Sequence, residues 1–171
     1  MTAIFVEIRE EVLDAVLNAI PESWCVNTGY IVEHSGLSRS YVYLALRKLR
    51  RSGRVNAVLH VIGRYKMFLY CRGNSIKGLA INHSGKDVYI TYEHLRNLVN
   101  KILQNMKSRV YKIRARSMLQ ELSLPASTVT VVAVDWMLKQ VAPEVYRCLF
   151  KYSDDRDAVA YYVFSRENLQ G

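Results

Sequence analysis

Thr28-Gly29-Tyr30-Ile31-Val32-Glu33-His34-Ser35-Gly36-Leu37-Ser38-Arg39-Ser40-Tyr41-Val42-Tyr43-Leu44-Ala45-Leu46-Arg47-Lys48-Leu49-Arg50-Arg51-Ser52-Gly53-Arg54-Val55 reads as a short helix, a tight turn and a second helix crowded with arginine. Thr28 is placed to cap the short helix, whose apolar face uses Ile31 and Val32; Gly36 supplies the turn, and Leu37 fills the space between the helices. Ser38 then caps the next helix. In that helix Val42, Ala45, Leu46 and Leu49 recur at helical spacing on one side. Arg39, Ser40, Tyr43, Arg47, Arg50 and Arg51 take up most of the other. A basic, long-armed helix of this kind can enter a DNA major groove.

Upstream, Val12, Leu13, Val16, Leu17 and Ile20 keep helical spacing behind acidic Glu7, Glu10 and Glu11, and Pro21 closes the segment, which predicts a first helix. Beyond Gly53 the period changes. Val55 to Ile62 and Lys66 to Tyr70 are rich in β-branched and aromatic residues, with Gly63-Arg64 as the natural tip between two strands. Residues 73–90, with Gly73, Asn74, Gly78, Asn82, Ser84 and Gly85, read as a partly ordered connector, since Leu79-Ala80-Ile81 and Val88-Tyr89-Ile90 are too apolar for a free linker.

The order of elements then repeats. Thr91 caps a helix carrying Leu95, Leu98, Val99, Ile102 and Leu103, and a second helix is predicted around Ala115 to Leu122. Leu124-Pro125-Ala126-Ser127 turns into a third through Val129, Val132, Ala133, Trp136 and Met137. Val145 to Tyr152 and Ala158 to Phe164 predict two strands around the tip Ser153-Asp154-Asp155-Arg156-Asp157. At an offset of 87 residues Leu37 answers Leu124 and Leu49 answers Trp136. Identity is slight, so the repeat is one of architecture.

The second third helix departs from the first. It offers Ser127, Thr128, Thr130, Val131, Val134, Asp135 and Leu138 in place of arginines, and its apolar surplus predicts packing against the first half or another chain. Lys107, Arg109, Lys112, Arg114 and Arg116 form a basic run between the first two helices of this half, expected to supply secondary phosphate contacts without base preference.

With 171 residues, half of them apolar, the chain can build one medium domain or two small ones. Lys and Arg outnumber Asp and Glu by 24 to 15, and the +9 formal charge is spread over both halves, which favours a polyanionic partner. Cys25, Cys71 and Cys148 are far apart and lack ligand spacing, so they read as separate core thiols, with no metal or cofactor expected. No long uncharged apolar run occurs, and Glu7, Arg9, Glu10, Glu11 and Asp14 argue against a secretory leader. A soluble protein of the cytoplasm, or of a virion interior, is expected, with no membrane partner. Phosphate loops, metalloprotease motifs, paired carboxylates and nucleophile elbows are absent, so no enzyme and no small-molecule effector are expected. His34, His60, His83 and His94 are scattered, and His34 and His94 read as surface residues.

The run from Ile31 to Val42, followed by Leu46-Arg47-Lys48-Leu49-Arg50-Arg51-Ser52-Gly53-Arg54-Val55, resembles the winged helix-turn-helix domains of small prokaryotic and archaeal transcriptional regulators. Together with the repeat, the resemblance implies an α+β fold of two winged-helix domains, each three helices plus a β-hairpin wing. Residues 1–72 would be the N-terminal domain, 73–90 the connector, and 91–171 a C-terminal winged-helix-like domain for dimerisation or docking. It implies double-stranded DNA as partner and a transcriptional regulator or DNA-architectural role. Arg39, Ser40, Tyr43 and Arg47 would face the groove, Arg50 and Arg51 would straddle the backbone, and Arg64 and Lys66 would sit on the wing. Tandem winged helices also serve as protein–protein scaffolds and in replication initiators, so the resemblance implies these as the two alternatives.

Overall fold

Asn27 sets the start of the short helix α2 (Thr28–Ser35): its side chain accepts the Tyr30 N–H at 3.1 Å. The same amide also receives the backbone N–H of Asn82 and donates to the Asn82 carbonyl, both at 3.0 Å. Thr28, expected as the cap, is instead buried and hydrogen-bonded to Tyr70. Gly36 ends α2 in the left-handed conformation, φ 71°, which a side chain would resist. Ser38 then caps α3 (Arg39–Arg51) through the Tyr41 N–H.

The structure, a computed structural model, describes residues 8–62, 65–150 and 159–166. Helix α1 (Glu10–Asn18) lays Leu13 and Val16 against Ile31 of α2 and Val42, Ala45, Leu46 and Leu49 of α3, all buried in one core that includes Val55 and Tyr70. Strands β1 (Trp24–Val26), β2 (Asn56–Ile62), β3 (Tyr65–Cys71), β4 (Gly78–His83) and β5 (Lys86–Thr91) form a sheet in the order β2-β3-β1-β4-β5. Strand β1 runs antiparallel to β3 with Val26 opposite Tyr70, so Cys25 faces Cys71. These two are a disulfide with Cα atoms 4.5 Å apart, which corrects the expectation of separate thiols.

The stretch 73–90 contributes two strands to this sheet. Ser84 and Gly85 between them have φ of 52° and 80°, the pair of positive values that two-residue hairpin turns require. At Gly78 a Cβ would run into the Ile90 carbonyl, so the close approach of β4 and β5 demands glycine there.

Helices α4 (Tyr92–Asn105), α5 (Ala115–Glu121) and α6 (Thr128–Val141) accompany a second sheet of β6 (Val110–Arg114), β7 (Tyr146–Phe150) and β8 (Val159–Ser165), in the antiparallel order β6-β8-β7. Thr91 caps α4, and Ser127 and Thr130 form a reciprocal capping box at α6. Both halves therefore follow one order: helix, short strand, two helices, two strands, with the first strand beside the third.

The fold is α+β, with six helices and two sheets among the described residues. The chain divides into two compact units, one of residues 1–58, 68–76 and 80–87, the other of 59–67, 77–79 and 88–171. The two expected strand tips, Gly63-Arg64 and Ser153 to Asp157, lie outside the described residues. No helix among the described residues is long and apolar enough to cross a membrane.

Candidate nucleic-acid interface

Helix α3 carries five cations, Arg39, Arg47, Lys48, Arg50 and Arg51, and no carboxylate. Its inner side chains, Val42, Ala45, Leu46 and Leu49, are at most 2% exposed, and this fixes which way the others point. Arg39, Ser40, Tyr43, Arg47, Arg50 and Arg51 are all exposed. Spacing of three and four places Ser40, Tyr43, Arg47 and Arg51 along the centre of the outer face, with Arg39 and Arg50 on one flank. Lys48 and Tyr41 form the other flank. Lys48 was not singled out from the sequence, although its position beside Arg47 turns it only one step around the helix.

Two features separate stability from function on this helix. Lys48, Arg50 and Arg51 lie in the last turn, where cations complement the partial negative charge of the C-terminal carbonyls. Arg39 occupies the first turn, where the partial charge is positive and no acidic side chain offsets it. Its placement opposes the helix dipole, so helix stability does not account for it. Close by, Tyr70 of β3 is buried; burial raises its phenol pKa, as does Tyr43, while the Thr28 hydrogen bond and Arg50 pull the other way. The net shift is upward, so Tyr70 stays a neutral prop.

Arg54, just past α3, pairs with Glu10 at 3.6 Å. Lys66 is exposed on β3, and Arg64 lies outside the described residues. His34 stacks on Tyr30 and shares a 2.6 Å hydrogen bond with Asp87, whose carboxylate also accepts from Asn82.

The second half presents no counterpart of the α3 face. Ser127 is the cap of α6, and Thr130, Val134, Asp135 and Leu138 are all buried; of the expected outer positions Thr128 is exposed and Val131 half-buried, and neither carries charge. Helix α6, its apolar surplus expected to meet the first half or another chain, packs on α4, α5, β7 and β8 and is hydrogen-bonded through Asp135 to His60 of β2. Asp135 has no exposure and accepts hydrogen bonds from His60 Nε2 at 2.8 Å, Lys139 Nζ at 2.9 Å and Tyr146 Oη at 2.5 Å. Lys107, Arg109, Lys112, Arg114 and Arg116 are all exposed, and the middle of their run is strand β6. That strand is not among the expected elements: Tyr111 and Ile113 alternate with Lys112 and Arg114 over only five residues, inside a run that reads first as basic.

No family model matches the chain, and no curated protein does. Among solved structures, a hypothetical protein from Pyrobaculum spherical virus is similar at 16% identity and a TM-score of 0.45, over 92% of this chain and 94% of that one. A likeness that slight carries neither fold nor function.

Proposed function

We propose that the chain binds double-stranded DNA, with α3 as the reading helix of an N-terminal winged helix-turn-helix domain and the second half as a winged-helix domain of related plan. The order helix, strand, helix, helix, strand, strand in both halves supports this architecture, as does the first strand lying beside the third. The observation that carries the DNA reading is Arg39, an exposed cation at the start of α3 where the helix itself disfavours one. A phosphate or a guanine edge reverses that penalty. The unpaired amides of the first helical turn add donors for a phosphate.

In this reading Arg39 approaches a base, Ser40, Tyr43 and Arg47 line the groove, and Arg50, Arg51 and Lys66 meet the backbone, with Arg64 assigned to the wing. The role is that of a transcriptional regulator or an architectural protein.

Selection of bound fragments from random duplex DNA, followed by titration of the winner, tests the reading. Arg39→Ala is expected to cost about 1–3 kcal/mol on the selected site and less on random duplex. Equal binding by the wild type and a combined Arg39→Ala, Arg47→Ala, Lys66→Ala variant would reject it in favour of a protein scaffold.

A further inference from the structure

Strand β6 is an edge of the second sheet: the order β6-β8-β7 leaves its outer side unpaired among the described residues. The Arg166 N–H donates to the Arg109 carbonyl at 2.8 Å, and the register runs Val110 opposite Ser165 through Arg114 opposite Tyr161. Antiparallel ladders alternate, so Tyr111 and Ile113 turn their backbone groups to β8, whereas Val110, Lys112 and Arg114 turn theirs outward. Ser108 Oγ already donates to the Val110 carbonyl at 2.7 Å. The outward groups of Lys112 are the centre of the open edge.

The two faces beside that edge differ. Tyr111 and Ile113 join Leu98 and Ile102 of α4 around a groove of about 320 Å³, in which Lys101 and Glu121 oppose each other in charge. Pleating sends Val110, Lys112 and Arg114 to the opposite face, where all three are exposed. Basic and apolar surface thus alternate across one backbone edge. Duplex DNA can neither extend the sheet nor send side chains into the groove beside Tyr111 and Ile113. A second copy of β6 would bring like charges together.

We propose that β6 captures an extended acidic segment of a protein partner by strand addition. The incoming backbone pairs with the outward groups of β6; its apolar side chains enter the groove beside Tyr111 and Ile113, and its alternate carboxylates meet Lys112 and Arg114. The site is independent of α3 and does not rest on the DNA reading.

The test uses the full chain and labelled peptides of about seven residues, long enough to cover a five-residue strand, followed by fluorescence anisotropy. One peptide alternates Glu and Val; its isomer has the same composition in two blocks. The alternating peptide is expected to bind at least about tenfold more tightly, and N-methylation of one alternate set of its amides, but not the other, is expected to abolish binding. Lys112→Pro removes an outward N–H without touching the ladder to β8 and should weaken binding beyond Lys112→Ala, which removes the charge alone. Equal affinity for the two isomers, or indifference to both N-methylated sets, overturns the proposal even if the proline variant fails to fold. Displacement of the peptide by duplex DNA from a chain with α3 neutralised by Arg39→Ala, Arg47→Ala and Arg50→Ala would also overturn it, and assign the run to phosphate contact.

Discussion

Asp135 is a carboxylate with no solvent exposure, and His60, Lys139 and Tyr146 converge on its two oxygens. Burial pushes its pKa up, but the three hydrogen bonds and the Lys139 charge outweigh that penalty and hold it below the ordinary aspartate value. A carboxyl held lower in the folded than in the unfolded chain binds fewer protons when folded. Its stabilisation is therefore complete above the unfolded value, about 3.9, and is lost as pH falls through the lower folded value. Asp135→Asn should cost about 1–3 kcal/mol at neutral pH, since it leaves donors facing a weaker acceptor. Urea unfolding of wild type and variant across the acid range checks both claims: the gap between their stabilities should narrow towards low pH, and a gap that stays constant or widens refutes the assignment. The sequence could not announce this residue. Its partner His60 is 75 positions away, and an aspartate near the middle of a helix reads as a solvated face.

Strand β1 shows how an element too short to carry a pattern can still anchor a sheet. Its three residues sit between β3 and β4, and Cys25 links it to Cys71 across 46 residues of chain. Closing a loop of that length restricts the unfolded chain by about 4 kcal/mol in the chain-entropy account, so reduction is expected to lower the melting temperature by about 10 °C. Alkylation in guanidinium gives the covalent check: Cys148 alone should label before reduction, and all three cysteines after it. Helices were legible because their signals are local. Ser38, Thr91 and Ser127 stand at their caps, and Val42, Ala45, Leu46 and Leu49 keep their spacing. The outer face of α3 followed from the same spacing, so the α3 part of the candidate site was legible as well. What pairs β1 with β3, or draws residues 78–91 into the first sheet, depends on partners far away in sequence. A three-residue strand offers no alternation to read, and in β6 the alternation of Tyr111 and Ile113 with Lys112 and Arg114 is short and embedded in a basic run. The apolar surplus of α6 is covered by the strands that follow it and by α4 and α5, while Asp135 meets His60 of β2, so a surplus alone does not name its cover.

At the scale of the whole molecule, a formal charge of +9 spread over both halves makes attraction to any polyanion expected, and affinity alone cannot show that α3 is the surface used. Salt dependence can. Each cation that neutralises a phosphate releases condensed counterions, and log affinity for duplex DNA falls against log salt with a slope of about 0.9 per phosphate neutralised. If α3 holds the backbone, replacing Arg50 and Arg51 together with Ala should shallow the slope by about two units, and Lys66→Ala by about one, with little change in the order in which sequences are preferred. Arg39→Ala should do the reverse: a modest effect on the slope and a larger one on discrimination between the selected site and random duplex. The outer residues of α3 are exposed and its core residues are untouched by these changes, so far-ultraviolet circular dichroism and the melting temperature should stay near wild type. A slope that survives the α3 variants but collapses on replacing Lys107, Arg109 and Arg116 would place the polyanion on the second half. That result would refute α3 as the DNA surface while leaving strand addition at β6 to be decided by the peptide isomers, whose difference depends on backbone pairing and not on net charge.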